Sequence, residues 1–584
     1  MALNVVAVVI LVIFYLAIVV VGLVAAWKVK VKGQETGGLE SSVVAGRDLK
    51  TFVAIFTMIA TTVGGGYING TAESVAQDGL VWTLAPLGIF LGLNIGGALY
   101  ARKMRERQYL TMLDPFQHHY GNVVALLLYL ASLMGDLLWT ASILNALGTT
   151  LSVIANIPLT VAVVVSGAVT LSYTVVGSMV SVAYTDIVQL LFIALGLVVS
   201  LPFVLSDDRI GDMWATRDIW VGQLPAEQAG VWADLLVAMT LGTIPWQSYF
   251  QRVLSVRTAR QAQVLSFVGA VGAAVLVIPA VVLGIAGTSA DWSNTTLGQS
   301  PPDLNLSSLT LPLVINEFSP EPVSILGLGA ISAAVMSSMD SAVLGTSSMF
   351  THNIYSCLLR SSASNRELRL VQIVSIVFFG AVAMAIALWS SVIYGVFILA
   401  ADIVFVIIFP QLTAVLYLPK LCNSVGAVAG YLVGLVLRIG AGEPIINMPV
   451  WLRFFIYDEA QGKHLFPFRT FSMLVSLAVT LAVSVVFRLA SNWLRGQGYA
   501  VPCAVSTDAG DDVGEGAAGK DAAAGEYGGF RKVGVENCYS GGDGESPSHV
   551  GRNGLRAGSG EGYEMGSLMV EGKFRKLTDN DEDI

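Results

Sequence analysis

Charge is what this chain most lacks. Asp, Glu, Lys and Arg make up 12% of its 584 residues and the mean hydropathy is +0.70, where a soluble domain carries about a quarter of charged residues. Water cannot be its main solvent. Cysteine is nearly as scarce: Cys357, Cys422, Cys503 and Cys538 each fall in or near a segment placed below at the cytoplasm, which argues against a disulfide framework. The five histidines (His118, His119, His352, His464, His549) have no metal-ligand spacing beyond one adjacent pair. No Ser/His/Asp or Cys/His grouping stands out, which argues against an enzyme. The formal charge of −9 gathers in loops and in the C-terminal stretch. It specifies neither a basic partner nor a nucleic acid.

What the chain has instead is long apolar runs. The first, from Leu3 to Trp27, exceeds a signal-peptide core, has no basic segment before it and has no small-residue cleavage motif, so it reads as a retained span. Lys28, Lys30 and Lys32 follow, which places that end in the cytoplasm and the N-terminus outside. Further windows recur at 48–72, 80–101, 122–154, 158–180, 184–206, 229–250, 262–287, 323–350, 368–390, 393–418, 424–440 and 470–490. Measured against a span of about 20 residues, these predict an all-α membrane protein with about thirteen transmembrane helices over residues 1–490.

The loop charges agree with that count. Arg102, Lys103, Arg105 and Arg107 follow the third span, Arg252, Arg257 and Arg260 the seventh, and Arg360, Arg366 and Arg369 the ninth. All three groups fall on the side expected to face the cytoplasm. The stretch 288–321, expected outside, has no Lys or Arg and holds two glycosylation sequons, at Asn294 and Asn305. A third match at Asn69 lies inside a span and reads as chance. Residues 491–584 turn to Gly, Asp, Glu, Ala and Ser, a composition expected to form a disordered, acidic cytoplasmic tail. The expectation is a multi-pass protein of the plasma membrane.

Two spans are broken at membrane depth. The second carries Gly64-Gly65-Gly66 flanked by Thr61, Thr62, Tyr67 and Asn69, and the seventh carries Gly242-Thr243-Ile244-Pro245 before Trp246. Such breaks leave carbonyls unpaired, which lipid tolerates only around a cavity or an ion. Their positions five spans apart point to the midplane site of a secondary transporter. Gly88, Gly92 and Gly96, by contrast, read as a packing stripe. In the ninth span, Ala334-Val335-Met336-Ser337-Ser338-Met339-Asp340-Ser341 sets hydroxyls and a carboxylate among apolar residues, the hard oxygens that Na⁺ takes. Ser337 and Ser341 share a face. Asp136, Asp186 and Asp402 are further acids at membrane depth, with Trp139 one turn from Asp136. Trp27, Trp232 and Trp389 read as interfacial belt residues.

At these residues the chain resembles the sodium:solute symporters, most closely those that carry choline. GGGYINGTAE (Gly64 to Glu73), TMLDPFQ (Thr111 to Gln117), SVAYTDIVQL (Ser181 to Leu190), IPWQSYFQRVLS (Ile244 to Ser255), AAVMSSMDS (Ala333 to Ser341) and IFPQL (Ile408 to Leu412) carry the resemblance, in order, over about residues 5–490. It implies a LeuT-like core of two inverted five-helix repeats, spans two to six and seven to eleven. It also implies Na⁺-driven import by alternating access, with chloride as a further ion whose ligands are not assigned. The sodium ligands it implies are Ala60, Val63, Ala334, Ser337 and Ser338, with Asp186 of Tyr184-Thr185-Asp186 tied to sodium passage. For a quaternary amine such as choline it implies an aromatic cage. Trp139 and Trp246 match ring positions, Tyr67, Phe397 and Asp340 join the candidate set, and Thr62, Ile89 and Phe397 are smaller than their counterparts in the family. A sodium symporter for another small organic solute, and a receptor or channel, stay open as alternatives.

Overall fold

The computed structural model describes residues 5–31, 38–175, 179–390 and 392–497. The tail from 498 onward lies outside the described residues, as do Lys32, Cys503, Cys538 and His549. Long runs of Leu, Val, Ile and Ala have one stable backbone solution in lipid, the helix that satisfies its own hydrogen bonds. The chain accordingly forms α1 (Val5–Val31), α2 (Thr51–Thr62), α3 (Gly65–Gln77), α4 (Ala85–Ile95), α5 (Asn122–Ala155), α6 (Leu159–Thr174), α7 (Met179–Leu205) and α8 (Ala229–Gly242). It continues through α9 (Gln247–Ser255), α10 (Ala259–Leu276), α11 (Ile278–Ser289), α12 (Glu321–Met349), α13 (Asn365–Trp389), α14 (Ile393–Tyr417), α15 (Ser424–Gly440) and α16 (Phe468–Gly496). Among the described residues the only named strands form a two-residue hairpin, with Tyr457 paired to His464, between α15 and α16.

Nine helices are long and apolar enough to cross a membrane, and the bent pair α2 and α3 brings the number to ten among the described residues. The other three expected segments are also helical but shorter: Val8–Val24 of α1, Leu159–Ser172 of α6, and α15. Length alone therefore supports ten crossings, and thirteen only if these three cross as well. Several helices that begin on the side expected to be cytoplasmic open with a side-chain cap: the Thr258/Gln261 capping box before α10, Ser364 before α13 and Asn423 before α15.

α7 lies along α12, and α5 along α14. α12 and α14 are buried over most of their length and form the centre of the bundle. The glycine stripe works as packing: a Cβ on Gly88 would sit 2.5 Å from Met239, and one on Gly92 would sit 2.2 Å from Thr243. α4 thus rides directly on the broken span formed by α8 and α9. Asp402 is absorbed by a buried ion network. Arg438 lies 2.9 Å from it and Arg469 2.7 Å, while Arg438 also reaches Glu443 at 2.6 Å. This ties α14 to α15 and α16.

Candidate functional site

The first break is made by close approach. Gly64 is extended (φ −102°, ψ −177°), a conformation open to any residue, but a Cβ there would lie 2.0 Å from Ser338 Oγ of α12. A Cβ on Gly65 would lie 2.6 Å from Val335, and one on Gly66 2.7 Å from Ser142 and 3.2 Å from Phe397. Each glycine admits a different neighbour, and α2 and α3 bend by 43° between them.

At the second break the backbone N–H of Trp246 bonds to Ile244 O at 2.9 Å. The Gly242 carbonyl, which a continuous helix would give to that N–H, instead accepts the indole Nε1–H of Trp246 at 2.6 Å. The tryptophan therefore mends the break it follows and is held rigidly across it.

Between the breaks lies a cavity lined by Met58, Thr61 and Thr62 of α2, Ile89 and Leu93 of α4, Trp139 of α5, Thr243, Trp246, Ser248 and Tyr249, and Phe397 and Ala401 of α14. No charged side chain is among them. Trp139 and Trp246 meet edge to face, with centroids 5.0 Å apart at 74°. Of the five residues expected to bind substrate, the fold brings together Trp139, Trp246 and Phe397. Two are placed elsewhere. Tyr67 is buried with its hydroxyl on Ala273 O at 3.3 Å, and Asp340 accepts from Thr174 of α6 at 2.5 Å; neither is in the cavity lining. Tyr67 was expected there as a flank of the first break and Asp340 as an acid at membrane depth that favours a cation; the rotational setting of their helices turns them aside.

Of the expected sodium ligands, Ala60, Ser337 and Ser338 come together beside Asp186, a few residues away. Ser338 Oγ donates to Thr61 O at 3.0 Å and approaches Ala60 O at 3.5 Å, carbonyls in the last turn of α2, where the helix stops. Ser337 Oγ donates to Asp186 Oδ1 at 2.6 Å, and Thr57 donates to Asp186 Oδ2. Ala60, Val63 and Ala334 are fully buried. Asp136 accepts from Thr346 at 3.0 Å and is not in the cavity lining.

Sequence reasoning missed one residue in this cluster. Arg252, counted above among loop charges, is 0% exposed and lies within α9, with Nη2 2.5 Å from Ser341 Oγ and 3.5 Å from Asp186 Oδ2. Its place within two turns of Trp246, with Val253 and Leu254 still to follow, was the available signal. Arg105 is likewise buried, donating to Val256 O at 2.6 Å.

Beside α9, at the start of the short helix Asp114–Tyr120 that precedes α5, Asp114 accepts from Leu110 N at 2.7 Å and from Asn353 at 2.7 Å. Burial alone would raise its pKa, but His352 at 3.4 Å and these bonds hold it well below the usual carboxylate range. Asn294 and Asn305 are both exposed, whereas Asn69 is buried and bonded to Ala146 O.

Residues 43–434 match the sodium:solute symporter family. The high-affinity choline transporter 1 of Torpedo marmorata is 44% identical over 507 residues, which cover 83% of this chain and 86% of that protein. The human high affinity choline transporter 1 is 43% identical over 496 residues, covering 83% and 85%. The sodium/proline symporter of Haemophilus influenzae is 24% identical, covering 75% and 89%. A solved structure of a Na⁺-coupled sialic acid symporter, in a substrate-bound outward-open state, shares the fold with a TM-score of 0.67 at 17% identity, covering 82% of this chain and 98% of that one.

Proposed function

The chain belongs to the sodium:solute symporter family, and from that premise we propose that it imports choline or a related quaternary amine, coupled to Na⁺, by alternating access about two inverted five-helix repeats. The observation that carries this reading is the pair of tryptophans, one fixed across the break, closing edge to face on a cavity without a charged side chain. A quaternary ammonium has no N–H to donate and no lone pair to accept with, so ring faces are its best partner. Sodium is bound by Ala60, Val63 and Ala334 carbonyls with the Ser337 and Ser338 hydroxyls, next to Asp186. Residues Thr62, Ile89 and Phe397 support a second reading, a different small organic solute, because they line the cavity with smaller side chains than the family's counterparts and leave fewer ring faces for an ammonium.

In this reading the protein sits in the plasma membrane with its N-terminus outside, its acidic tail in the cytoplasm, and glycans on Asn294 or Asn305. Chloride is a required co-ion. Uptake of choline in competition with a panel of amines and neutral solutes, in sodium, sodium-free and chloride-free buffers, tests it. A neutral solute preferred over every ammonium compound rejects the choline reading, and uptake unchanged without sodium rejects symport.

A further inference from the structure

The segment between α15 and α16 is expected on the outer side of the membrane, yet it turns large apolar side chains outward. Trp451 is 63% exposed, Phe455 81% and Ile456 55%. Glu459, Gln461 and Lys463 are exposed at its turn, and Arg453 reaches to Glu459 at 2.8 Å. An exposed apolar patch bordered by polar residues marks a contact with a membrane or with another protein.

The helix packing sets the depth of this patch. α15 runs antiparallel to α14: a Cβ on Gly434 would lie 3.5 Å from Val406 O, and Arg438 pairs with Asp402. The last residue of α15, Gly440, is therefore level with about residue 400 of α14, which runs on outward to Ile393 for about seven residues, about 10 Å of helix. The segment after α15 fills that height, since a Cβ on Gly395 would come 2.9 Å from Ile445. Its apolar side also continues the outer face of α16. Phe455 meets Phe471 edge to face, with centroids 6.1 Å apart at 89°, and Leu474, one turn further along α16, is 53% exposed. On a helix that crosses a bilayer, a leucine exposed in this way meets lipid.

We propose that residues 448–466 are seated in the outer leaflet of the membrane, with Trp451, Phe455 and Ile456 among the lipid chains and the turn 459–463 at the headgroups. The occupant of the patch is lipid because α15, with 17 residues, gives about 25 Å of helix against a hydrocarbon core of about 30 Å, and a segment seated over its end makes up the missing thickness. The proposal rests on the topology given above, which puts this end of α15 outside. The seated segment also lids the ion network. Phe468 lies 5.6 Å from the Arg438 guanidinium and 4.4 Å from that of Arg469, and Phe454 stacks on Phe468 at 5.8 Å. Rings and lipid thus keep water from the two arginines that hold Asp402, the neighbour of Ala401 in the cavity lining.

The test is labelling of the full chain in intact cells with a membrane-impermeant maleimide, surface protein being measured for each variant. The wild-type chain, whose cysteines are expected on the cytoplasmic side, gives the background. Ala460→Cys, in the exposed turn, is expected to react, and Phe455→Cys to stay unreacted until detergent is added. A second variant asks what covers the patch: p-benzoylphenylalanine in place of Phe455, irradiated in membranes, is expected to give a lipid adduct by mass spectrometry. Equal labelling of Ala460→Cys and Phe455→Cys in intact cells overturns the proposal and leaves the topology standing. A cross-link from position 455 to a second copy of the chain, or to another protein, in place of the lipid adduct overturns it too. Labelling of Ala460→Cys only after permeabilisation puts the segment on the inner side, and the topology then falls together with the proposal.

Discussion

At the scale of single residues, Trp246 does two things that a substitution can separate. Its ring faces the cavity and its indole N–H satisfies the Gly242 carbonyl at the break. Trp246→Phe keeps a ring and loses the hydrogen bond, whereas Trp246→Ala loses both. If the ring meets an ammonium, its removal should cost about 1 to 2 kcal/mol, roughly a 5- to 30-fold loss of apparent affinity. The expected result is that Trp246→Ala reaches the surface with weakened choline uptake while Trp246→Phe retains part of it; surface protein and uptake measured together check this. Choline transport by Trp246→Ala at wild-type affinity would remove the cage. For the ion, Ser337→Ala with Ser338→Ala should raise the half-saturating sodium concentration by about tenfold or more, equivalent to about 1.4 kcal/mol, with surface expression largely kept. Sodium activation curves decide it, and an unshifted curve takes the ion site off α12.

At the scale of elements, the break between α2 and α3 depends on glycine for space. Gly64→Ala would drive a methyl to 2.0 Å from Ser338 Oγ, so either α12 moves away or the sodium cluster is distorted, whereas a Cβ on Gly329 of the same α12 meets nothing within 4 Å. Gly64→Ala is therefore expected to abolish sodium-driven uptake and Gly329→Ala to leave it within about twofold of wild type, as a surface change without strain does. Uptake by Gly64→Ala equal to that of Gly329→Ala would show that the crossing is looser than the geometry says. The breaks themselves were legible in the sequence because Gly and Pro carry a backbone meaning that does not depend on neighbours. So was the packing stripe Gly88, Gly92 and Gly96, and so were Trp139 and Trp246. What was not legible is rotation: α3 and α12 are buried nearly all round, their polar residues included, so no solvent-facing side shows which way a residue turns. Tyr67 and Asp340 lie off the cavity lining for that reason. Arg252 was misread for a different one, since a loop arginine and a buried arginine are the same letter until the oxygens around it are known.

At the scale of the whole molecule, the side of the membrane on which the tail lies turns on one helix. From the exposed sequons at Asn294 and Asn305, the chain passes through α12, α13 and α14, then α15, then α16. If α15 crosses, five passages put the tail opposite the glycans; if it re-enters, four put the tail on their side. α15 has 17 residues, about 25 Å of helix against a hydrocarbon core of about 30 Å, so length leaves the matter open. Packing favours crossing. At its start Asn423 N bonds to Ser484 of α16 at 3.0 Å, and at its end Arg438 and the first turn of α16, through Arg469, both hold Asp402 of α14. Between these ends Gly426, Gly430 and Gly434 meet Ser484, Thr480 and Ser476 in turn, so α15 runs antiparallel to α16 along its whole length. The lone charge near its end, Arg438, is paired with Asp402 and Glu443 within the bundle, which removes the main cost of placing it there. The expected outcome is that Asn294→Gln with Asn305→Gln removes the glycan mass shift, and that an antibody to the tail stains cells only after permeabilisation. Staining of intact cells by that antibody, with the glycans present, would make α15 a re-entrant helix and leave the tail outside.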